Sequence, residues 1–266
     1  MSRVIAVSNQ KGGTGKTTTT INLGGALADR GIRVLLVDMD PQASLSVGLG
    51  VDTFSLEKTM YDAIVEGEKL DNIILSVRQQ IDLAPANLYL SAGELQLASS
   101  LRREDRLKNA LAPVVDRYEF VLIDCPPTLG LLTINAFSAA DYTLIPMSTD
   151  YYSLVGVRLL VESIQRIQSQ LNPELEILGI LATRFDKRTR HAQEVLDEAR
   201  SKLGEHVRVF ETVIPETVRF KEAPIAGQTI TEYSGSHPSA ESYRHLAQEV
   251  LDVFKKESPS QKQQPA

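Results

Sequence analysis

The sequence predicts an α/β domain built on a mainly parallel, twisted sheet flanked by helices on both faces. Three observations predict it. Short apolar runs alternate with helical patterns along the whole chain, the runs are apolar almost throughout, and the first passes straight into a glycine-rich turn that opens a helix. Such alternation reads as successive βαβ units, and strands apolar on both sides suit a sheet buried on both faces. Strands are expected at 4–8, 34–37, 81–84, 120–123, 142–146, 177–183 and 207–213. Helices are expected near 17–30, 92–111, 129–138, 153–170, 191–203 and 240–256. Residues 1–256 read as one domain without internal repeats. The last ten, 257–266, are polar with two prolines and are expected to be disordered.

With 266 residues the chain can bury one large core. No apolar stretch approaches the roughly 20 residues of a membrane span, and a single arginine before the apolar run at Val4 is no signal peptide. One cysteine, Cys125, leaves no intrachain disulfide, so a soluble protein of the reducing cytoplasm is expected. With 28 Lys and Arg against 34 Asp and Glu, the net charge is −6. That excludes a protein that coats nucleic acid with its whole surface, so any such contact needs a local basic patch.

The strongest motif is Gln10-Lys11-Gly12-Gly13-Thr14-Gly15-Lys16-Thr17-Thr18, between the first strand and the first helix. A phosphate chain needs inward-facing backbone N–H groups that side chains would block, hence the three glycines. A helix N-terminus adds a positive dipole end. Lys16 is suited to the β- and γ-phosphates and the Thr17 hydroxyl to Mg²⁺, the pattern of a P-loop NTPase domain binding ATP. Gln10 stands where the standard pattern has glycine, and Lys11 adds a second cation, either a solvated loop charge or a group facing a neighbouring site.

Two further segments end strands on carboxylates, at the sheet edge where open α/β sheets bind ligands. In Val37-Asp38-Met39-Asp40-Pro41, strand alternation puts Asp38 and Asp40 on one side, within reach of a metal and its waters. In Phe120-Val121-Leu122-Ile123-Asp124, an apolar strand ends in the carboxylate a hard cation needs beside a γ-phosphate. Thr17, Asp38 and Asp124 are the metal-side candidates. Cys125 reads as a small buried residue, with no histidine near it in sequence to activate it.

The Lys-Gly-Gly-Thr-Gly-Lys-Thr-Thr run resembles the deviant Walker A box of the ParA/MinD superfamily of P-loop ATPases. The resemblance extends from Val4 to about Val253 and is greatest to the short, Soj-like ParA proteins. It implies that Lys11 reaches across an ATP-dependent sandwich homodimer to the partner's nucleotide. It implies that Asp40 orients the attacking water while Asp38 supports the metal's outer shell, so that Lys11, Lys16 and Asp40 carry the chemistry. It also implies a slow ATPase stimulated by an adaptor such as a ParB-like protein. Residues 11–18 would hold ATP, with Arg184 and Pro215 at the ends of later strands facing the adenine.

Residues 184–190 carry four positive charges against one negative, and residues 217–224 carry Arg219 and Lys221. These segments are similar to the family's motifs for binding DNA without reading sequence. The role passes to Arg188 and Arg219, with Lys187, Arg190 and Lys221 as auxiliaries and a nucleoid location implied. Such phosphate contacts weaken steeply with salt, and a dimer doubles them. The sequence departs from the family at Glu216 (commonly arginine), Lys221 (commonly serine) and Leu154-Val155-Gly156 (commonly Leu-Glu-Gly). The implied function is ATP-dependent partition or spacing of a cargo, whether plasmid, chromosome or protein organelle. A MinD-like, membrane-associated ATPase is the alternative; it would need a terminal amphipathic helix free to lie on lipid. A nitrogenase-type iron protein is excluded, because bridging a cluster across a dimer needs two cysteines per chain.

Overall fold

Alternation along the apolar strands sends their side chains to two separate cores. Val4, Ala6, Leu35, Val37, Val121 and Ile123 point to one face of the sheet. Ile5, Val7, Val34, Leu36, Phe120 and Leu122 point to the other. A computed structural model describes residues 2–257 apart from His206; the sequence-predicted tail therefore lies almost wholly outside the described residues.

The strands are β1 (Arg3–Val7), β2 (Val34–Asp38), β3 (Leu75–Arg78), β4 (Ile81–Ala84), β5 (Phe120–Asp124), β6 (Tyr142–Ser148), β7 (Glu176–Phe185) and β8 (Val209–Pro215). They form one eight-stranded sheet in the order β3-β4-β2-β5-β1-β6-β7-β8. Every described pairing is parallel except β3 with β4. The α-helices are α1 (Lys16–Ala28), α2 (Ser44–Gly48), α3 (Tyr89–Leu97), α4 (Arg106–Leu111), α5 (Leu131–Ala139), α6 (Tyr151–Gln170), α7 (Arg190–Glu198), α8 (Arg219–Ile225), α9 (Ile230–Tyr233) and α10 (Pro238–Glu257). No described helix is long and apolar enough to cross a membrane.

Helix α1, with Ile21, Leu23 and Leu27, covers one face. Helix α5, with Leu132, Ala136 and Phe137, covers the other. The neighbouring strands β1 and β5 therefore send their following helices to opposite faces, which opens a crevice at their C-terminal ends, the position where open α/β sheets bind ligands.

Two expected helices needed correction, and one strand had not been expected. The single helix expected over 92–111 is two, because Arg102 takes the left-handed conformation at φ 52°. Buried Asn135 then accepts from the Leu107 N–H (3.1 Å) and donates to the Arg103 carbonyl (2.7 Å), fixing the new start. The stretch expected as one helix over 191–203 ends as α-helix at Glu198 and finishes in a wider π-type turn. The edge strand β3 was not expected, although the short run Ile73-Ile74-Leu75-Ser76-Val77 leads into it; its side chains are half-buried or exposed, as edge strands often are. Leu36 is fully buried beneath Gly24 of α1. Leu36→Ala is therefore expected to lower unfolding stability by about 3 kcal/mol, and a urea midpoint matching the wild type would contradict that packing.

Candidate nucleotide-binding site

The turn between β1 and α1 is shaped by two glycines in the left-handed region, Gly13 at φ 73° and Gly15 at φ 83°. Gly15 is the N-cap of α1 and has no side chain to cap it, which leaves the first N–H groups open to an anion. Lys16 opens the helix and is buried, with its ammonium 3.4 Å from the Lys11 carbonyl. Burial lowers its pKa, while nearby Asp124 and Asp40 act against that loss.

Asp38 and Asp124 stand opposite one another in the β2–β5 register, and both are fully buried. The Thr17 hydroxyl donates to Asp124 Oδ2 at 2.6 Å. Burial first, and then the negative field of Asp38, raises the Asp124 pKa well above the usual carboxylate range. Burial also pushes Asp38 up to about 7, against the bonds it accepts from Ser46 and Asp40.

These bonds correct the expectation that Asp38 and Asp40 share one side of a strand. The Oδ2 atom of Asp38 accepts from the Ser46 N–H (3.0 Å) and hydroxyl (2.7 Å), and Oδ1 accepts from the Asp40 N–H (3.2 Å). Strand β2 ends at Asp38, so alternation stops before Asp40. Asp38 anchors the turn behind the site, while Asp40 lines the cavity and accepts from the Gln42 N–H at 2.9 Å.

One cavity of about 860 Å³ runs from the glycine turn to the loop after β8. Its walls bring together Gly12, Gly13, Gly15, Lys16, Thr17 and Thr18 with Asp40, Arg184 and Pro215. Thr14 faces inward, and its carbonyl accepts from the buried Thr183 hydroxyl at 2.8 Å, tying β7 to the turn. Arg184 has a left-handed backbone (φ 52°), which is costly for a residue with a side chain. Its guanidinium reaches the Gly13 carbonyl (3.5 Å) and pairs with Glu216 (2.9 Å). Thr183, Glu216, Phe220 and Tyr243 also border this site without having been assigned a role from sequence; the first three stand in the segments singled out there, whereas nothing local marks Tyr243.

Lys11 is not in the cavity wall. Its ammonium lies 2.6 and 2.7 Å from the two oxygens of Asp150 and 3.2 Å from the Ser153 hydroxyl. Asp150 is the N-cap of α6. Burial pushes its carboxyl up, but hydrogen bonds from Lys11, Ser148 and Ser153 hold it at about 2.

The basic segments leave the ends of adjacent strands β7 and β8, joined where the Glu216 N–H donates to the Phe185 carbonyl (3.2 Å). Arg188, Arg190 and Arg219 are exposed and each pairs with an acid, respectively Asp186 (2.8 Å), Glu194 (2.8 Å) and Glu222 (2.9 Å). Lys187 and Lys221 are exposed and make no ion pair among the described residues.

A glycine turn with a buried lysine at a helix N-terminus, facing a strand-end aspartate across a parallel-sheet crevice, defines a P-loop NTPase. A family model described as an AAA domain matches residues 2–177. The Bacillus subtilis sporulation initiation inhibitor protein Soj is 43% identical over 94% of this chain and 98% of its own. The Myxococcus xanthus chromosome partitioning protein ParA is 40% identical over 97% of this chain and 90% of its own. Cobyrinic acid a,c-diamide synthase from Mycobacterium smegmatis, solved with an ATP analogue and magnesium, superposes with a TM-score of 0.85 at 33% identity, covering 97% of each chain. The chain belongs to the ParA/MinD superfamily of P-loop ATPases, on its Soj-like branch.

Cys125 follows Asp124 and is fully buried, and burial together with Asp124 pushes its thiol pKa up. Iodoacetamide at neutral pH should leave the folded protein unlabelled and modify it once unfolded in urea. Rapid labelling of the native protein would contradict this environment.

Proposed function

We propose that this chain is a positioning ATPase that binds ATP and Mg²⁺, pairs with a second copy around the nucleotide, and holds DNA without reading sequence until an adaptor triggers hydrolysis. One observation carries the reading: a single cavity joins the phosphate turn to Arg184 and Pro215, while Lys11, in the same turn, stands outside it. A lysine in the phosphate-binding turn whose ammonium lies outside the cavity supports a role toward another chain's phosphate.

Within the cavity the turn's N–H groups and Lys16 would hold the phosphates, with Arg184 and Pro215 at the base. The fit to magnesium rests on donor chemistry: a hydroxyl and a buried carboxylate, Thr17 and Asp124, are hard oxygen donors 2.6 Å apart. Bound there, the metal would supply positive charge against the transferring phosphoryl group. Asp40 would orient the attacking water. The motifs supply no strong general base, so turnover would rest on positioning and electrostatics, which suits a slow, partner-stimulated enzyme.

Lys187, Arg188, Arg190, Arg219 and Lys221 would bind DNA phosphates, and pairing of two copies would double the contacts. The relatives named for partitioning support a segregation or spacing role, with a ParB-like or other adaptor. The membrane-bound alternative is disfavoured by α10: its Leu246, Val250 and Phe254 are buried in the core, leaving that face unavailable to lipid.

Two measurements test this. Lys11→Ala should keep one ATP bound per chain yet lose the ATP-dependent dimer in light scattering; an unchanged dimer would remove the cross-chain role. Arg219→Glu should weaken ATP-dependent DNA binding at least tenfold and flatten its salt dependence by about two charges per dimer, with ATP binding intact. Gel shifts matching the wild type would take the basic patch out of the function.

A further inference from the structure

The loop from Asp124 to Gly130 connects the strand-end carboxylate to α5, and Pro127 in its middle lines the nucleotide cavity. Its far end is held from an unexpected quarter. Gly130 is the N-cap of α5 and has no side chain with which to cap it. Its backbone is extended (φ −91°, ψ −171°), a conformation open to any residue, so the dihedral angles do not require glycine. The space a methyl group would take there is held by Oε1 of Glu94, the end of a flexible side chain from α3, so a larger residue at 130 would push that carboxylate aside. That same oxygen accepts from the N–H of Leu132 in the first turn of α5, at 3.4 Å.

A carboxylate at a helix N-terminus satisfies an orphan N–H and meets the positive end of the helix dipole. Here a neighbouring helix supplies it because the N-cap residue cannot. The support under Glu94 is firm. Adjacent Gly93 packs so closely on Val65 and Tyr61 that a methyl there would overlap them, and Leu90 and Leu97 of the same helix are buried. One turn further on, the Thr133 hydroxyl donates to the Thr128 carbonyl at 2.6 Å, and the Ile134 N–H donates to the Gly130 carbonyl at 3.0 Å. The loop beside the cavity is thereby pinned at Asp124 by Thr17 and at Gly130 by Glu94.

We infer that Glu94 is a positioning residue for ATP turnover, seating the Asp124–Gly130 loop through the N-terminus of α5 without touching the nucleotide. The inference rests on the ATPase reading of the cavity.

Steady-state ATP hydrolysis by the full chain with Mg²⁺ tests it. Glu94→Ala should lower kcat about fivefold, the size of one lost helix cap, with the KM for ATP within about twofold of wild type. Gly130→Ala, which leaves Glu94 in the chain but takes its seat, should give the same loss, and it carries the test if Glu94→Ala fails to fold. Combining Glu94→Ala with Gly130→Asp moves the carboxylate onto the helix's own N-cap and should restore most of the lost rate. Wild-type turnover in Glu94→Ala, a KM that rises as kcat falls, or no recovery in the double variant would each overturn the inference. Absence of hydrolysis by the wild-type protein would instead overturn the reading of the cavity.

Discussion

Two carboxylates that cannot both be comfortably charged dominate the molecule. The β2–β5 register sets Asp38 directly beside Asp124, both without solvent contact. Desolvation and mutual repulsion penalise the doubly ionised pair. The fold meets that penalty in two ways. Asp38 is surrounded by donors from Ser46 and Asp40, so its charge, when present, is spent inside the protein. Asp124 receives only the Thr17 hydroxyl and a distant contact from Thr20, and it faces the buried ammonium of Lys16. One carboxylate is thus satisfied within its own turn, and the other leans on Thr17 and Lys16, which both line the cavity. That asymmetry is what a cation and a polyphosphate together would relieve.

The asymmetry depends on where strands stop. Were β2 one turn longer, Asp40 would continue the alternation and point the same way as Asp38. Because the strand ends, Asp40 turns into the cavity instead. The order of strands matters as much: β1 between β5 and β6, with α1 and α5 on opposite faces, is what separates the two loops enough to leave 860 Å³ between them and the end of β8.

Much of this could be read in the sequence. The seven apolar runs all become strands, because a run buried on both faces has few alternatives, and the glycine turn lies between β1 and α1 as its spacing demands. What was illegible depends on single side chains answering distant ones. Nothing near Arg102 announces a left-handed residue, since the helix break is stabilised by Asn135, more than thirty residues away. Strand β3 is only four residues, Leu75–Arg78, too short for its alternation to stand out from a loop. The employment of Asp38 is set by Ser46 in α2, a helix too short to show a period. The bond between Lys11 and Asp150 spans 139 positions, and only the placement of Asp150 ahead of a helix hinted that it would act as a cap.

That last bond has a further consequence. The ammonium of Lys11 and the first turn of α6 share a single carboxylate, so they are rivals as well as neighbours. Withdrawal of the lysine would return Asp150 wholly to the Ser148 and Ser153 hydroxyls and the helix's N–H, a smaller and neutral set of donors. The lysine is therefore part of how α6 begins, and any anion competing for it must outbid a two-oxygen grip.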